Sequence, residues 1–174
     1  AGNVIFRGSD IMAGQAVFQK YGLMDVGSFF GYGAYNGPDF TAEYLHRSGE
    51  IALEQMSQAK FNKPYAELTA GDKGELSATL QQEFKQNRYD PTSQTLTWTK
   101  WQVDSYQKLA PYYDTEFGVG HNLPLPTNYI GDATERLQLS RFFAWGAWVC
   151  STNRPGKDYT FTNNWPPDSL VGNG

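Results

Sequence analysis

One cysteine, Cys150, and two histidines, His46 and His121, are all the chain offers of the residues that most often carry metal or nucleophile chemistry. A single thiol excludes an internal disulfide and leaves the redox compartment open. It also excludes the Cys-x-x-Cys-His run in which two thioethers and an imidazole hold a c-type haem. Neither histidine has a cysteine within five residues, so no haem can be held covalently.

Long apolar runs are missing as well. The most apolar stretch, Phe142 to Cys150, is nine residues, against the roughly twenty needed to cross a bilayer. Residues 1 to 20 contain Arg7, Asp10 and Gln15 where a signal peptide needs an apolar segment. Positive charge is not in excess either: 14 basic against 18 acidic residues give a net charge of -4. Without a basic stripe to neutralise a row of phosphates, nucleic-acid binding is disfavoured. Nucleophile elbow, phosphate loop, dinucleotide fingerprint and internal repeat are all absent.

What is present is a chain of 174 residues, 40% apolar and 16% aromatic, enough for one domain with a substantial core. The periodicity predicts mainly helix. A first helix begins at Ser9 or Asp10 as cap and ends near Gly22. Five glycines, at 22, 27, 31, 33 and 37, are interleaved with Phe29, Phe30, Tyr32 and Tyr35, which reads as a loop anchored by its rings. A second helix starts after Pro38 and Asp39, with Ala42, Leu45, Ile51, Leu53 and Met56 on its apolar face. A third spans Asp72 to Asn87, where Leu76, Leu80 and Phe84 are spaced by four. Asp90-Pro91 is a turn, and the alternation of Thr95 to Thr99 predicts a short hairpin or edge strand. A fourth helix covers Trp101 to Phe117, with Pro111 imposing a kink or break. The fifth runs from Ala133 to Cys150, capped by Asp132 with Glu135 near the capping-box position. From Phe142 to Trp148 it is apolar on every face, so it must be buried all round. The Pro-, Gly- and Asn-rich tail from Ser151 is an irregular strap.

Two blocks carry a resemblance to a known family. The first runs from Gly14-Gln15-Ala16-Val17-Phe18 through Gly31-Tyr32-Gly33-Ala34-Tyr35 to Gly37-Pro38-Asp39-Phe40 and His46. The second holds Asn153-Arg154-Pro155-Gly156-Lys157-Asp158-Tyr159, Thr162-Asn163-Asn164-Trp165-Pro166-Pro167 and Leu170-Val171-Gly172-Asn173. Together they resemble the extracytoplasmic soluble domain of a quinol-dependent, single-chain nitric oxide reductase. Tyr32 stands where that family often carries histidine. The resemblance implies a mainly α, haemless cytochrome c-like fold with a short strand pair and a long irregular C-terminal strap. It implies that residues 1-174 are a single extracytoplasmic domain excised from a larger membrane protein, on the periplasmic or extracellular face of the cell membrane.

The same resemblance implies function. The whole enzyme turns two nitric oxide molecules into nitrous oxide and water with electrons from a quinol, using haem b and non-haem iron in its membrane helices. This domain would be a non-catalytic cap whose partner is the membrane portion of the same chain, with quinol and nitric oxide acting at that portion. No cofactor is expected within the domain. The carbonyl of Gly33 and the side chain of Tyr35 would be calcium ligands only in the full-length enzyme, because calcium takes six to eight oxygens. Otherwise the glycines simply shape the loop. Arg154 either faces a headgroup phosphate, a propionate or a carboxylate of the membrane portion, or acts as a cation at a helix C-terminus. Trp145, Trp148 and Trp165, with Phe142 and Phe143, read as a docking surface for the membrane core or the lipid interface. With the porphyrin replaced, its volume must be filled by side chains, for which Phe18, Phe29, Phe30, Tyr32, Tyr35 and Tyr44 are the candidates.

Other readings of the residues are weaker. Glu43 and His46 form a Glu-x-x-His pair, but a di-metal site needs a second copy, and none exists. Cys150 and His121 would make a nucleophile and base only if the thiol were reactive, and a thiol in an apolar helix is not. A stand-alone extracellular module that stacks aromatic rings on sugars or peptides is the alternative function.

Overall fold

A computed structural model describes residues 2-120, 122-162 and 168-172. Among them are five α-helices: α1 Gly8–Lys20, α2 Phe40–Phe61, α3 Ala70–Lys85, α4 Lys100–Phe117 and α5 Ala133–Ser151. Short 3-10 turns stand at Leu23–Asp25 and Tyr65–Glu67. Two antiparallel pairs of two-residue strands complete the set, β1 Ser28–Phe29 with β2 Tyr32–Gly33 and β3 Tyr89–Asp90 with β4 Thr95–Leu96. The mainly helical expectation holds. None of the helices formed by the described residues is long and apolar enough to cross a membrane.

The helix starts follow from local chemistry. Asp10 is not the cap of α1 but lies within its first turn, where its carboxylate accepts the Arg7 amide at 2.7 Å. Thr69 caps α3 by accepting from the Asp72 amide at 3.2 Å. Asp132 caps α5 by accepting the Thr134 amide at 2.7 Å, and that amide leads the causes that hold its carboxyl below the usual range. Glu135 does not close a capping box. It is drawn away by Lys20 at 2.6 Å and the Tyr21 hydroxyl at 2.8 Å. Pro111 does not break α4, which continues through it at an exposed position. There the carbonyl deprived of a partner by the missing N–H can meet water.

The chain divides into two compact units, Ala1–Tyr44 with Tyr106–Ala147, and Leu45–Ser105 with Trp148–Gly174. In the first unit α1 and α5 meet at Gly14, where an added Cβ would strike the Gln138 carbonyl and lie 2.7 Å from Phe142 Cβ. Around that crossing the rings interlock. Phe143 stacks on Phe40 at 4.9 Å and meets Tyr113 edge-on at 5.0 Å. Phe29 stacks on Phe142 at 4.3 Å, Phe18 abuts both, and Tyr44 stacks on Tyr113 at 5.9 Å. Burial, with Tyr106 nearby, pushes the Tyr44 hydroxyl well above its ordinary pKa.

The second unit buries Leu76, Leu80 and Phe84 of α3, as their spacing predicts, together with Leu45, Leu53 and Met56 of α2. Ala42, expected on the apolar face of α2, is exposed, since it belongs to the first turn and lends its amide to Asp39. The strand expected around Thr95 pairs with Tyr89–Asp90. Residues 152-162 and 168-172 hold no helix or paired strand beyond a single bridge between Asn153 and Thr160, which is the expected strap.

Candidate functional site

The glycine-rich stretch is a built element rather than a plain loop. Ser28 pairs with Gly33 and Phe29 with Tyr32, leaving Phe30 and Gly31 as a two-residue turn. Both have positive φ, +53° and +78°, the sign pattern of the tight turn that suits strand twist. Glycine takes such a backbone freely, whereas for Phe30 it costs about 1 kcal/mol. A side chain that holds the turn must offset that cost.

Asp39 does so. One carboxylate oxygen accepts the Ser28 hydroxyl at 2.8 Å and the Gly31 amide at 2.7 Å. The other accepts the amides of Thr41 and Ala42, at 3.0 and 2.9 Å, and the Thr41 hydroxyl. Burial alone would push this carboxyl up, but the donors from Thr41, Ala42, Gly31 and Ser28 outweigh it and hold it below its ordinary value. Sequence reasoning identified Asp39 only as a residue at a helix start. Its second role is invisible in the string, because Ser28 and Gly31 lie 11 and 8 residues upstream.

The hairpin faces outward. Tyr32 is 75% and Tyr35 95% exposed, and Gly33 is exposed as well. Tyr32 and Tyr35 therefore fill no interior volume, contrary to expectation. The pleat turns Phe29 inward and Tyr32 outward, and Tyr35 lies past the strand end. Phe18, Phe29 and Tyr44 are buried as expected, Phe30 is half-buried, and the interior is completed by Phe40, Phe117, Phe142, Phe143 and Tyr113.

The predicted docking residues are not brought to one place. Trp145 is half-buried behind the hairpin, 6.2 Å from Phe30 and 6.0 Å from Phe142. In the second unit Trp148 is half-buried against Phe161 at 6.4 Å. Arg154 is exposed, and its guanidinium donates to the carbonyls of Thr160 and Phe161, both at 3.1 Å. It thereby organises its own loop, stacked over Tyr159 and Phe161. Trp165 and His121 lie outside the described residues.

Glu43 and His46 have separate partners. Glu43 accepts the hydroxyls of Tyr112 and Tyr113 at 3.0 and 3.3 Å, while His46 Nδ1 meets Asp168 at 2.9 Å. Among the described residues no group of three or more His, Cys, Asp or Glu gathers as a metal cluster.

Two cofactors bear testing against these residues. A covalently bound haem does not fit, because the only thiol, Cys150, is fully buried within α5 and no second cysteine exists. Calcium fits only in part. The Gly33 carbonyl and the Tyr35 phenol are hard oxygens on one exposed hairpin, and the remaining ligands would have to come from another surface. Against known proteins, the family model for the cytochrome c-like domain of the nitric oxide reductase NorB matches residues 1–167. A search of curated proteins finds no match.

Proposed function

The chain belongs to the family of NorB cytochrome c-like domains of nitric oxide reductase, and from that premise we propose that it is a non-catalytic, extracytoplasmic cap on the membrane core of a quinol-dependent nitric oxide reductase. The observation that carries this reading is the Asp39-braced hairpin, which presents Gly33 and Tyr35 outward on a fixed backbone. A turn that spends backbone strain to expose two tyrosines is suited to meeting a partner surface.

The reaction of the whole enzyme is 2 NO + 2 e- + 2 H+ giving N2O + H2O, with the electrons from a quinol. Haem b and non-haem iron in the membrane portion supply that redox chemistry. This chain contributes position. Its interior rings occupy the space that a porphyrin takes in an electron-carrying relative, so that it shields rather than conducts. Gly33 and Tyr35 would complete a calcium site with oxygens of the membrane portion. The partner is that portion of the same protein, with no nucleic acid involved, and the face is periplasmic or extracellular.

The first test is spectroscopic. The chain purified from cells supplied with haem is expected to show no Soret band and to consume no nitric oxide when a reduced quinol is added. A band that survives gel filtration, or quinol-dependent loss of nitric oxide, sinks the proposal. In the parent enzyme, Tyr35→Phe is expected to lower bound calcium by elemental analysis while haem content stays unchanged. Unaltered calcium removes Tyr35 from the ligand set.

A further inference from the structure

Residues 168-172 are seated on α2 and α3 within the second unit by an unusually complete set of contacts. Asp168 Oδ1 accepts the amides of Leu170 and Val171, both at 2.9 Å, and its carbonyl accepts the Gly172 amide at 2.7 Å. Val171 is fully buried, Leu170 rests against Gly49, and Gln81 Nε2 donates to the Leu170 carbonyl at 3.3 Å. The other oxygen of Asp168, Oδ2, meets His46 Nδ1 at 2.9 Å. On the opposite edge of the ring, His46 Nε2 lies 3.6 Å from Glu50 Oε1.

We infer that His46, Asp168 and Glu50 form a pH-sensitive clasp that fixes residues 168-172 to α2. A neutral imidazole carries one N–H and can serve one carboxylate, whereas the imidazolium donates at both nitrogens and carries a charge that both carboxylates attract. The charged groups facing the ring are Glu50 from α2 and Asp168 from the segment itself. From α3 the segment meets Gln81, which is uncharged, and Arg47 follows His46 along α2. Histidine is the side chain that changes charge in the range around neutrality. The extra hold is therefore present on the acidic side of that range and lost as pH rises through it. His46 is 45% exposed, so solvent limits the effect to about threefold in the opening equilibrium. The clasp does not depend on the domain's place in a larger enzyme.

Hydrogen exchange on this chain tests it. After correction for intrinsic rates, the Leu170 and Val171 amides are expected to be about threefold better protected at about pH 5.5 than at about pH 8. His46→Gln keeps a donor for Asp168 but cannot titrate, and is expected to abolish the difference. Glu50→Gln, at an exposed site, is expected to shrink it. Equal protection at both pH values in the unsubstituted chain overturns the clasp, as does a difference that persists in His46→Gln. If that variant does not fold, an undiminished difference in Glu50→Gln does the same.

Discussion

The carboxylate of Asp39 accepts the backbone amide of Gly31 at 2.7 Å, so the residue that starts α2 also fixes the tip of the β1–β2 turn. One side chain thus couples a helix start to a strained hairpin. Its removal should be felt at both.

Asp39→Ala is expected to cost about 2 kcal/mol, combining a lost helix cap with buried donors left without an acceptor. The pH dependence has a definite sign. The folded-state pKa is depressed, so this contribution is present above the unfolded value and fades as pH falls through the folded one. Urea unfolding at several pH values is the measurement. The gap between the unsubstituted chain and Asp39→Ala should narrow on acidification below about pH 4. A gap that stays constant down to strongly acid solution would show that the carboxylate charge is not what braces the turn.

The aromatic interior and the exposed hairpin rings should respond oppositely to truncation. Phe143 contacts Phe40, Tyr113, Phe117 and Phe18 and is fully buried, so Phe143→Ala should cost about 4 kcal/mol through lost burial and a cavity. Tyr35 is 95% exposed, and Tyr35→Ala should stay within about 0.5 kcal/mol. Denaturant midpoints of the two variants decide the matter. Comparable losses would mean that Tyr35 packs against something in the free chain.

The reach of the sequence can be judged from particular elements. The α3 stripe of Leu76, Leu80 and Phe84 was legible because a four-residue spacing leaves one side to bury, and all three are buried. Likewise the run from Phe142 to Trp148 required burial all round. It finds it, with Trp145 and Trp148 half-buried and the rest buried. What escaped was pairing over distance. A two-residue strand has too short a period to register, so β1 and β2 read as loop. The sides taken by Tyr32 and Tyr35 then had no pattern to reveal them. Lys20 and Tyr21 claim Glu135 from more than a hundred residues away, and no capping rule confined to neighbours could foresee it.

Gly14 allows a prediction in which two known effects compete. Glycine to alanine inside a helix ordinarily stabilises by about 1 kcal/mol. Here the added methyl meets the Gln138 carbonyl and Phe142 Cβ, atoms of the α5 helix that cannot swing aside. The steric cost of overpacking, about 1 to 3 kcal/mol, should exceed the propensity gain. Gly14→Ala should therefore lower the thermal midpoint, whereas Gly74→Ala in α3, where a Cβ meets open space, should raise it. A stabilised Gly14→Ala would mean that α1 and α5 do not approach this closely.

Cys150 supplies the sharpest discrimination between a structural and a chemical role for the lone thiol. It is fully buried on α5, and thiol reagents act on accessible thiolate. In native conditions at neutral pH, labelling by an aromatic disulfide reagent should follow only the opening of the fold. The labelling rate should climb with denaturant in step with unfolding, and one equivalent should react above the midpoint. Under those conditions Phe143→Ala should label faster than the unsubstituted chain in proportion to its lost stability, because opening is what limits access. A nucleophile poised for catalysis would behave in the contrary way. It would react within seconds in the folded chain, at a rate indifferent to denaturant, and the reading of this domain as catalytically inert would fail with it.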